Sequence, residues 1–295
     1  MLDLSRSEIE QLFDIAQEME KYVKTGTDVL KERVLATLFF EPSTRTRLSF
    51  ETAMLRLGGN TIGFADPSTS RMTTGETLAD TIRMLDSYSN VIVMRHRIEG
   101  SARLAAEVAQ VPVLNAGDGS QHHPTQTLTD LYTMNKEFGH IDGLKIGILG
   151  DLKQTRSASS LCFGLEHFRD VRLYLVSPEG LRTREEVKDQ MERSKIEYTE
   201  SDNLEQCVSE LDVLYVTRLQ KERFANPDDY ERFKGSYVVS AGLLQKTKKG
   251  MIVMHHLPRI DEIPLEVDNT SNARYFQQAA NGLPMRMALL SMIVS

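Results

Sequence analysis

The chain has 295 residues, 40% of them hydrophobic and 26% charged, a balance that is typical of a folded globular protein and excludes a disordered or collagen-like chain. By the usual size of domains, this length predicts about two of them. The chain has 35 Lys and Arg residues and 42 Asp and Glu residues, which gives a net charge of −7. This charge argues against non-specific nucleic-acid binding. It does not exclude small anionic ligands, which local arginine clusters can bind.

Helical and strand patterns alternate along the chain. Ser5 and Glu8 form a capping box before an apolar stripe at helical spacing, which predicts a first helix. Short apolar runs then predict nine strands, at 34–40, 61–64, 91–94, 111–114, 145–149, 171–176, 212–216, 237–240 and 251–254. Because helical segments separate most of these runs, the pattern predicts βα units and parallel sheets that are covered on both faces.

Two features indicate how the chain divides. A boundary is predicted near Lys136–Gly143, where the helical pattern of Thr125–Phe138 ends and a polar stretch precedes a new strand. The last segment, Leu283–Val294, is almost wholly apolar; it is long enough for a buried helix and too short for a membrane span. It could return to pack on the first domain.

The most informative motif is Glu41-Pro-Ser-Thr-Arg-Thr-Arg-Leu-Ser-Phe-Glu51, directly after the first predicted strand and at the start of a helix. Hydroxyl groups, the Arg45 guanidinium and the free N–H groups of a helix start together make a phosphate site; the hydroxyls belong to Ser43, Thr44 and Thr46. The alternative is a plain helix cap with Arg45 and Arg47 solvated, and the local pattern does not decide between the two.

A second cluster, His122-His-Pro-Thr-Gln126, follows a Gly-rich turn and precedes a helix. An imidazole there could polarise a carbonyl oxygen, although a lone histidine in such a place is more often an ordinary capping residue. Arg95 ends a predicted strand, where ligands of open α/β sheets bind, but by itself it would more often be a surface arginine. No HExxH motif and no cysteine at ligand spacing occurs, so we expect no metal site.

The second half of the chain carries further arginines after strands. Gly147-Ile-Leu-Gly150 resembles a dinucleotide turn but lacks the full glycine spacing and a following lysine, so NAD and ATP are not expected. Arg156 stands at a predicted helix start, and Arg218-Leu-Gln220 follows a strand; their guanidinium groups would suit carboxylates. The alternative for Lys221–Arg223 is a solvated charged turn. Leu257-Pro258 follows the last strand, where backbone carbonyls could face a ligand.

In sequence order, these motifs resemble those of the aspartate carbamoyltransferase catalytic chains over nearly the whole length. The matching segments are Phe40–Glu51, Gly75–Thr81, Val93–His96, His123–Gln126, Gly150–Lys153, Arg218–Arg223 and Leu257–Glu262. The resemblance implies an α/β fold of two doubly wound parallel-sheet domains and a C-terminal helix that returns to the first. A carbamoyl-phosphate domain would comprise 1–136 and 277–295, and an aspartate domain 137–276.

The resemblance also implies the reaction. The carbamoyl group of carbamoyl phosphate would pass to the α-amine of L-aspartate, giving N-carbamoyl-L-aspartate and phosphate, an early step of pyrimidine biosynthesis that needs no cofactor or metal. The family works as a homotrimer whose active sites are shared between neighbouring chains, and regulatory chains are possible partners. An ornithine-type carbamoyltransferase is the alternative within this class, although Arg156, Arg218 and Gln220 favour a dicarboxylate substrate.

The resemblance also assigns the family's site roles to the matching positions of this sequence. The resemblance implies that Arg45, Thr46, Arg95 and His123 are catalytic. Residues that would hold carbamoyl phosphate are Ser43, Thr44, Arg45, Thr46, Arg95, His123 and Gln126, with the backbone carbonyls of Leu257 and Pro258. Those that would hold L-aspartate are Arg156, Arg218 and Gln220.

Two positions depart from the family pattern. The family carries a catalytic lysine immediately before its Gly-Glu-Thr-Leu motif, and this chain has Thr74 there. Ser70 would still reach a neighbouring chain's site, and Arg71, the nearest cation, is the candidate substitute for the lysine. The departure leaves a carbamoyltransferase-like subunit without activity as a second alternative. His256 replaces the usual proline and is expected to alter only the turn.

The cysteine content and the apolar segments of the sequence indicate the cellular compartment. Cys162 and Cys207 are too few for a disulfide framework, which predicts a reduced, cytoplasmic setting. The first residues, MLDLSRSEIE, have no apolar segment that would serve as a secretory signal. No run approaches 18 apolar residues, so a membrane is not an expected partner. The net charge of −7 likewise makes a nucleic acid an unexpected partner.

Overall fold

The structure is a computed structural model that describes residues 3–66, 75–120, 122–221, 224 and 226–294. The chain divides into two compact units, each built on its own parallel sheet. The first unit contains Asp3–Thr129 together with the chain from Ala280 onward, and the second contains Asp130–Ala279. Both crossings between the units fall within helices, near the predicted domain limits of 136/137 and 276/277, which stay predictions.

The first unit holds a four-stranded parallel sheet in the order β2-β1-β3-β4. Its elements alternate regularly along the chain: α1 Arg6–Met19, β1 Val34–Phe39, α2 Thr44–Arg56, β2 Asn60–Phe64, α3 Leu78–Asp86, β3 Val91–His96, α4 Ser101–Val108, β4 Val113–Asp118 and α5 Pro124–Phe138. The predicted strands 34–40, 61–64, 91–94 and 111–114 are therefore confirmed, with ends that shift by up to four residues.

Each face of this sheet buries its own apolar cluster. Successive side chains of a strand point to opposite faces, so Leu35 and Phe39 of β1 pack with α2, whereas Ala36 and Leu38 pack with α3 and α4. The capping box of Ser5 and Glu8 begins α1 as predicted.

The C-terminal helix, α10 (Tyr275–Val294), returns to this first unit as expected. Met287, Leu290 and Val294 lie in the same apolar cluster as Leu35 and Phe39. The helix is therefore held against the first sheet by hydrophobic burial, which is the main driving force of folding. None of the described helices has the length and hydrophobicity needed to cross a membrane.

The second unit holds a five-stranded parallel sheet in the order β7-β6-β5-β8-β9. Its elements are β5 Lys145–Leu149, α6 Arg156–Leu165, β6 Arg172–Val176, α7 Glu185–Arg193, β7 Glu197–Ser201, β8 Val213–Val216, α8 Pro227–Phe233, α9 Ala241–Leu244 and β9 Ile252–His255. The sheet is doubly wound, because the chain runs from β5 outward to β7 and then returns to the other side of β5.

One predicted strand is wrong and one strand was not predicted. Segment 237–240 is not a strand in the structure; the N–H of Val239 donates to the carbonyl oxygen of Glu262, and Ser240 caps α9. The missing strand is β7, whose residues Glu-Tyr-Thr-Glu-Ser are largely polar. β7 is an edge strand with partly exposed side chains, so its sequence has no apolar run to reveal it.

The structure explains why glycine occurs at position 150, at the end of β5, and the explanation is unrelated to nucleotide binding. The φ of Gly150 is +119°, and a Cβ atom there would clash with the carbonyl oxygen of Thr217 from the neighbouring strand. We expect Gly150→Ala to lower the free energy of unfolding by about 2 kcal/mol, because the close approach and the backbone conformation both exclude a side chain. Urea unfolding followed by circular dichroism measures this.

Gly143→Ala is the matched control for that substitution. Gly143 also has a positive φ, of +76°, but no atom lies within 4 Å of its would-be Cβ. Its cost should be about 1 kcal/mol, from the backbone conformation alone. Equal unfolding midpoints for the two variants would show that the contact with Thr217 is not the reason that position 150 requires glycine.

Candidate active site

Three predicted site segments of the first unit follow neighbouring strands. The phosphate motif follows β1, Arg95 lies near the end of β3, and His123 follows β4. Phe39 pairs in register with Arg95, and the N–H of Phe40 donates to the Arg95 carbonyl oxygen over 2.9 Å. Because the strands are parallel, their carboxyl ends meet at one edge of the sheet, where open α/β sheets bind ligands.

The first turn of α2 is suited to an anion. Ser43 stands at the N-cap, but in the described structure its side chain caps none of the helix N–H groups, and the first turn contains no acidic residue. The helix dipole and these N–H groups therefore face no protein carboxylate within the turn. Thr46 is buried, whereas Thr44 and Arg45 are exposed.

Arg95 is held in place by groups from the phosphate motif. Its Nε donates to Glu41 Oε1 over 2.6 Å, and its Nη1 donates to Ser43 Oγ over 3.1 Å. The side chains of Arg95 and Glu41 are only 16% and 21% exposed, so the pair is shielded from much of the solvent. A planar guanidinium with two directed hydrogen bonds has little rotational freedom.

His96 supports the turn that follows Arg95. Burial lowers the pKa of His96, which keeps the ring neutral. Its Nδ1 accepts the N–H of Ile98 over 3.0 Å and lies 2.8 Å from Ser101 Oγ. Asp118, opposite His96 in the register, accepts the N–H of Gly100 over 3.1 Å. These contacts are structural and fix where β3 ends.

His123 is buried and lies immediately before α5. Its carbonyl oxygen accepts the N–H groups of Gln126 and Thr127 over 3.0 and 3.1 Å, so the backbone of His123 does cap the helix. The imidazole ring takes no part in these backbone hydrogen bonds, and its Nδ1 lies 3.4 Å from Thr125 Oγ1. The capping interpretation accounts for the backbone of His123 and assigns no role to its ring.

The second unit gathers its predicted residues in the same way. Arg156 begins α6 after β5, Arg218 and Gln220 follow β8, and Leu257 follows β9. Strands β5, β8 and β9 are neighbours, so the segments that follow them lie at one edge of the second sheet. Arg156 is 7% exposed, which is unusual for an arginine.

Gln220 contacts the start of α6 directly. Its Nε2 donates to Thr155 Oγ1 over 3.1 Å, and Thr155 stands at the N-cap directly before Arg156. The first turn of α6 has no acidic residue, as in α2. Thr155 was not singled out from the sequence, although a threonine before a predicted helix start is an ordinary capping signal.

The turn after β9 is held by two side chains that the sequence did not single out. The His255 ring is fully buried and accepts the Leu257 N–H at Nδ1 over 2.8 Å. Its Nε2 lies 2.8 Å from Glu262 Oε1. Burial works to raise the pKa of Glu262, but the hydrogen bond from His255 and backbone N–H donors outweigh it and hold the pKa below its ordinary value.

His256 does more than alter the turn, contrary to expectation. Its ring is stacked 5.2 Å from the His255 ring and 6.2 Å from the Tyr215 ring, and its Nδ1 lies 3.2 Å from Ser157 Oγ. Ser157 follows Arg156, so the imidazole links the turn after β9 to the first turn of α6.

Three predicted residues, Ser70, Arg71 and Thr74, lie outside the described residues. Among the residues that the structure does describe, no three His, Cys, Asp or Glu side chains converge as metal ligands would. The positive groups described at the site are arginine side chains and helix N-termini.

Comparison with known families matches both halves of the chain. Residues 1–136 match the carbamoyl-P binding domain of the aspartate/ornithine carbamoyltransferases, and residues 142–293 match the Asp/Orn binding domain of the same family.

Individual relatives agree with that match. The aspartate carbamoyltransferase catalytic subunit of Pyrobaculum arsenaticum is 55% identical over 100% of this chain and 96% of its own length. The catalytic subunit of M. jannaschii aspartate transcarbamoylase superposes with a TM-score of 0.91 at 47% identity, covering 100% of this chain and 96% of that one. The Trypanosoma cruzi aspartate transcarbamoylase in complex with carbamoyl phosphate and aspartate gives 0.93 at 39% identity, covering 99% and 95%.

Proposed function

This chain belongs to the aspartate/ornithine carbamoyltransferase family, and we propose that it is an aspartate carbamoyltransferase catalytic chain that converts carbamoyl phosphate and L-aspartate into N-carbamoyl-L-aspartate and phosphate. The supporting relatives carry that name at up to 55% identity over the whole chain. This reaction serves pyrimidine biosynthesis.

In this proposal, carbamoyl phosphate is bound by the groups at the carboxyl edge of the first sheet. The phosphate lies at the start of α2, against Ser43, Thr44, Arg45 and Thr46. Thr46, Arg95 and His123 donate to the carbonyl oxygen, while Gln126 and the carbonyls of Leu257 and Pro258 contact the carbamoyl nitrogen. The observation that carries the proposal is Arg95, clamped by Glu41 and Ser43 beside an uncapped helix start that has no acidic residue.

L-Aspartate is assigned to the arginines of the second unit. Arg156 and Arg218 bind its two carboxylates, with Gln220 assisting, because a guanidinium matches a carboxylate with two parallel hydrogen bonds. Ornithine would present an ammonium group that needs an acidic partner. Arginines at these positions therefore favour the dicarboxylate, and the names of the relatives point the same way.

The residues present suit direct acyl transfer. The neutral α-amine of aspartate attacks the carbonyl carbon of carbamoyl phosphate, forming the C–N bond and placing negative charge on the oxygen. The tetrahedral intermediate collapses by breaking the C–O bond to phosphate, and the departing phosphate takes up the proton that the amine loses. Donors at Thr46, Arg95 and His123 stabilise the oxyanion, and the arginines bring two anionic substrates together.

Thr74 alone does not make an inactive subunit the better interpretation of this chain. It is one departure among the expected contact residues, and the others are present in the sequence. We propose that Arg71 replaces the positive charge of the family's lysine, because no lysine occurs between Lys31 and Lys136. Ser70 and Arg71 would act in the site of a neighbouring chain.

Assembly and location are further parts of the proposal. A homotrimer with shared sites would have a mass three times the 33.4 kDa of one chain, which light scattering after gel filtration measures. Regulatory chains are possible partners, since the relatives are named catalytic subunits. A cytoplasmic location is in keeping with the two free, buried cysteines.

A substrate-omission assay tests the function. The purified chain is incubated with carbamoyl phosphate and either aspartate or ornithine, and the ureido product is measured colorimetrically. We expect product with aspartate only, and none when either substrate is omitted. Product from ornithine would instead identify an ornithine-type enzyme, and activity confined to a Thr74→Lys variant would identify an inactive subunit.

A further inference from the structure

We propose that His255 and Glu262 are positioning residues that set the conformation of the Leu257–Pro258 turn and thereby the affinity for the carbamoyl group. The inference rests on the proposed function, which assigns the carbonyls of Leu257 and Pro258 to the carbamoyl nitrogen. His255 and Glu262 touch no substrate in this proposal; they act through the backbone of the turn.

The first step is the contact between His255 and Leu257. A backbone N–H can only donate, so the 2.8 Å contact from the Leu257 N–H makes Nδ1 of His255 an acceptor. The imidazole is therefore in the neutral form with its proton on Nε2, which donates to Glu262 Oε1 over 2.8 Å. Each ring nitrogen thus has one defined role, and the ring cannot rotate without losing both hydrogen bonds.

The second step is the conformation that this contact holds. Leu257 has a φ of +56°, in the left-handed region that is unfavourable for a residue with a branched side chain. Such a conformation persists only where surrounding contacts impose it. The hydrogen bond from its N–H to the buried His255 ring is the contact that fixes the direction of the peptide group at the start of the turn.

The third step is the other end of the turn. The Glu262 carboxylate accepts the N–H groups of Ile260 and Asp261, with the shortest N–O distance 3.2 Å in each case. Because the same carboxylate accepts from His255, one ionised group ties the residues after Pro258 to the ring that holds the residue before it. The side chain of Glu262 is 8% exposed, so solvent competes little for these hydrogen bonds.

The fourth step is the anchoring of His255 itself. Its backbone N–H donates to Gln278 Oε1 over 2.7 Å, and Gln278 Nε2 donates to Asp130 Oδ1 over 2.7 Å. Tyr215 OH donates to the other oxygen of Asp130 over 2.9 Å. This buried chain joins α5, α10, β8 and β9 within the second unit, and it gives the His255 ring a rigid base.

Two substitutions of His255 separate its two hydrogen bonds. In His255→Asn, the amide oxygen stands near the place of Nδ1 and can still accept the Leu257 N–H. In His255→Gln, the amide nitrogen stands near the place of Nε2 and can still donate to Glu262, but the Leu257 N–H loses its acceptor. The first variant therefore keeps the contact to Leu257, and the second keeps the contact to Glu262.

The readout compares two ligands of the intact enzyme: the KM of carbamoyl phosphate and the inhibition constant of inorganic phosphate. Phosphate is assigned to the motif of the first unit, so only the carbamoyl group depends on the turn. We expect His255→Gln to raise the KM about tenfold, equivalent to about 1.4 kcal/mol, and to leave the phosphate constant within twofold. His255→Asn should raise the KM less than threefold.

Glu262→Gln provides a second test should His255→Gln fail to fold. Its amide oxygen can accept from His255, but its amide nitrogen cannot accept the N–H groups of Ile260 and Asp261. We expect the same separation of the two constants, with a KM increase of about fivefold. Gln190→Leu is the control: it loses a hydrogen bond of 2.9 Å to Glu166, elsewhere in the second unit, and should lower thermal stability without separating the two constants.

The outcomes distinguish this inference from the function on which it rests. A wild-type chain that forms no carbamoyl aspartate overturns the proposed function, and the positioning role with it. An active wild type, together with an unchanged KM in His255→Gln, overturns the positioning role alone. Equal increases of the KM and the phosphate constant would also overturn it, because they indicate general damage.

Discussion

Replacing His123 with alanine is expected to lower kcat by two to three orders of magnitude, because the substitution removes one donor to the carbonyl oxygen of carbamoyl phosphate. Loss of a single donor of this kind raises the barrier by about 3–4 kcal/mol. The donor is preorganised, since His123 is buried and its backbone carbonyl is bound to the N–H groups of Gln126 and Thr127. The fold should be unaffected, because these helix-capping bonds come from the backbone.

Steady-state formation of carbamoyl aspartate measures this effect, with circular dichroism to verify folding. His123→Gln should retain part of the rate, because its side-chain amide can still donate a hydrogen bond. His122→Ala is the matched control on the neighbouring residue, for which we expect a kcat close to that of the wild type. A kcat for His123→Ala within fivefold of the wild type would remove His123 from the oxyanion site.

Replacing Arg156 with alanine is expected to raise the KM of aspartate more than a hundredfold while the KM of carbamoyl phosphate changes less than threefold. Losing one partner of a buried, hydrogen-bonded charge pair costs about 3 kcal/mol, which corresponds to a factor above one hundred. Arg156 is 7% exposed at the start of α6, so the pair that we propose it forms with the substrate carboxylate would be buried. The effect is confined to aspartate, since Arg156 is assigned to a carboxylate of that substrate.

Two further variants show whether the guanidinium geometry is responsible. Arg156→Lys keeps the charge but not the two parallel donors, so its aspartate KM should lie between those of the wild type and Arg156→Ala. Arg172→Ala removes an exposed arginine paired with Glu197 in the same unit and should leave both KM values unchanged. An unchanged aspartate KM in Arg156→Ala would refute the assignment.

The sequence predicted those parts of the fold whose signal is local and apolar. Strand β1 is buried along most of its length, and its run of hydrophobic residues is visible without any structure. Strand β7 was not predicted, because an edge strand with partly exposed side chains has no such run of hydrophobic residues. Segment 237–240 is apolar enough to resemble a strand, but its N–H at Val239 bonds to a loop carbonyl instead.

The candidate site was predictable to the level of segments. Every motif that follows a strand of a parallel sheet is carried to the same edge, so the groups around Ser43, Arg95 and His123 could be placed together from their order alone. Which of them touch was not predictable. Arg95 and Glu41 are 54 residues apart, and their 2.6 Å contact depends on the register between β1 and β3.

By itself, the sequence determined the alternation of strands and helices, the division into two sheets and the edge at which the charged groups lie. These follow from side-chain periodicity and from the rules that govern parallel sheets, which act on any chain with this pattern. Only the tertiary structure decided the hydrogen-bond partners, such as Gln220 with Thr155 and Gln278 with Asp130. A hydrogen bond requires two atoms to approach within about 3 Å at a suitable angle, and packing alone brings residues so far apart in the chain to that distance.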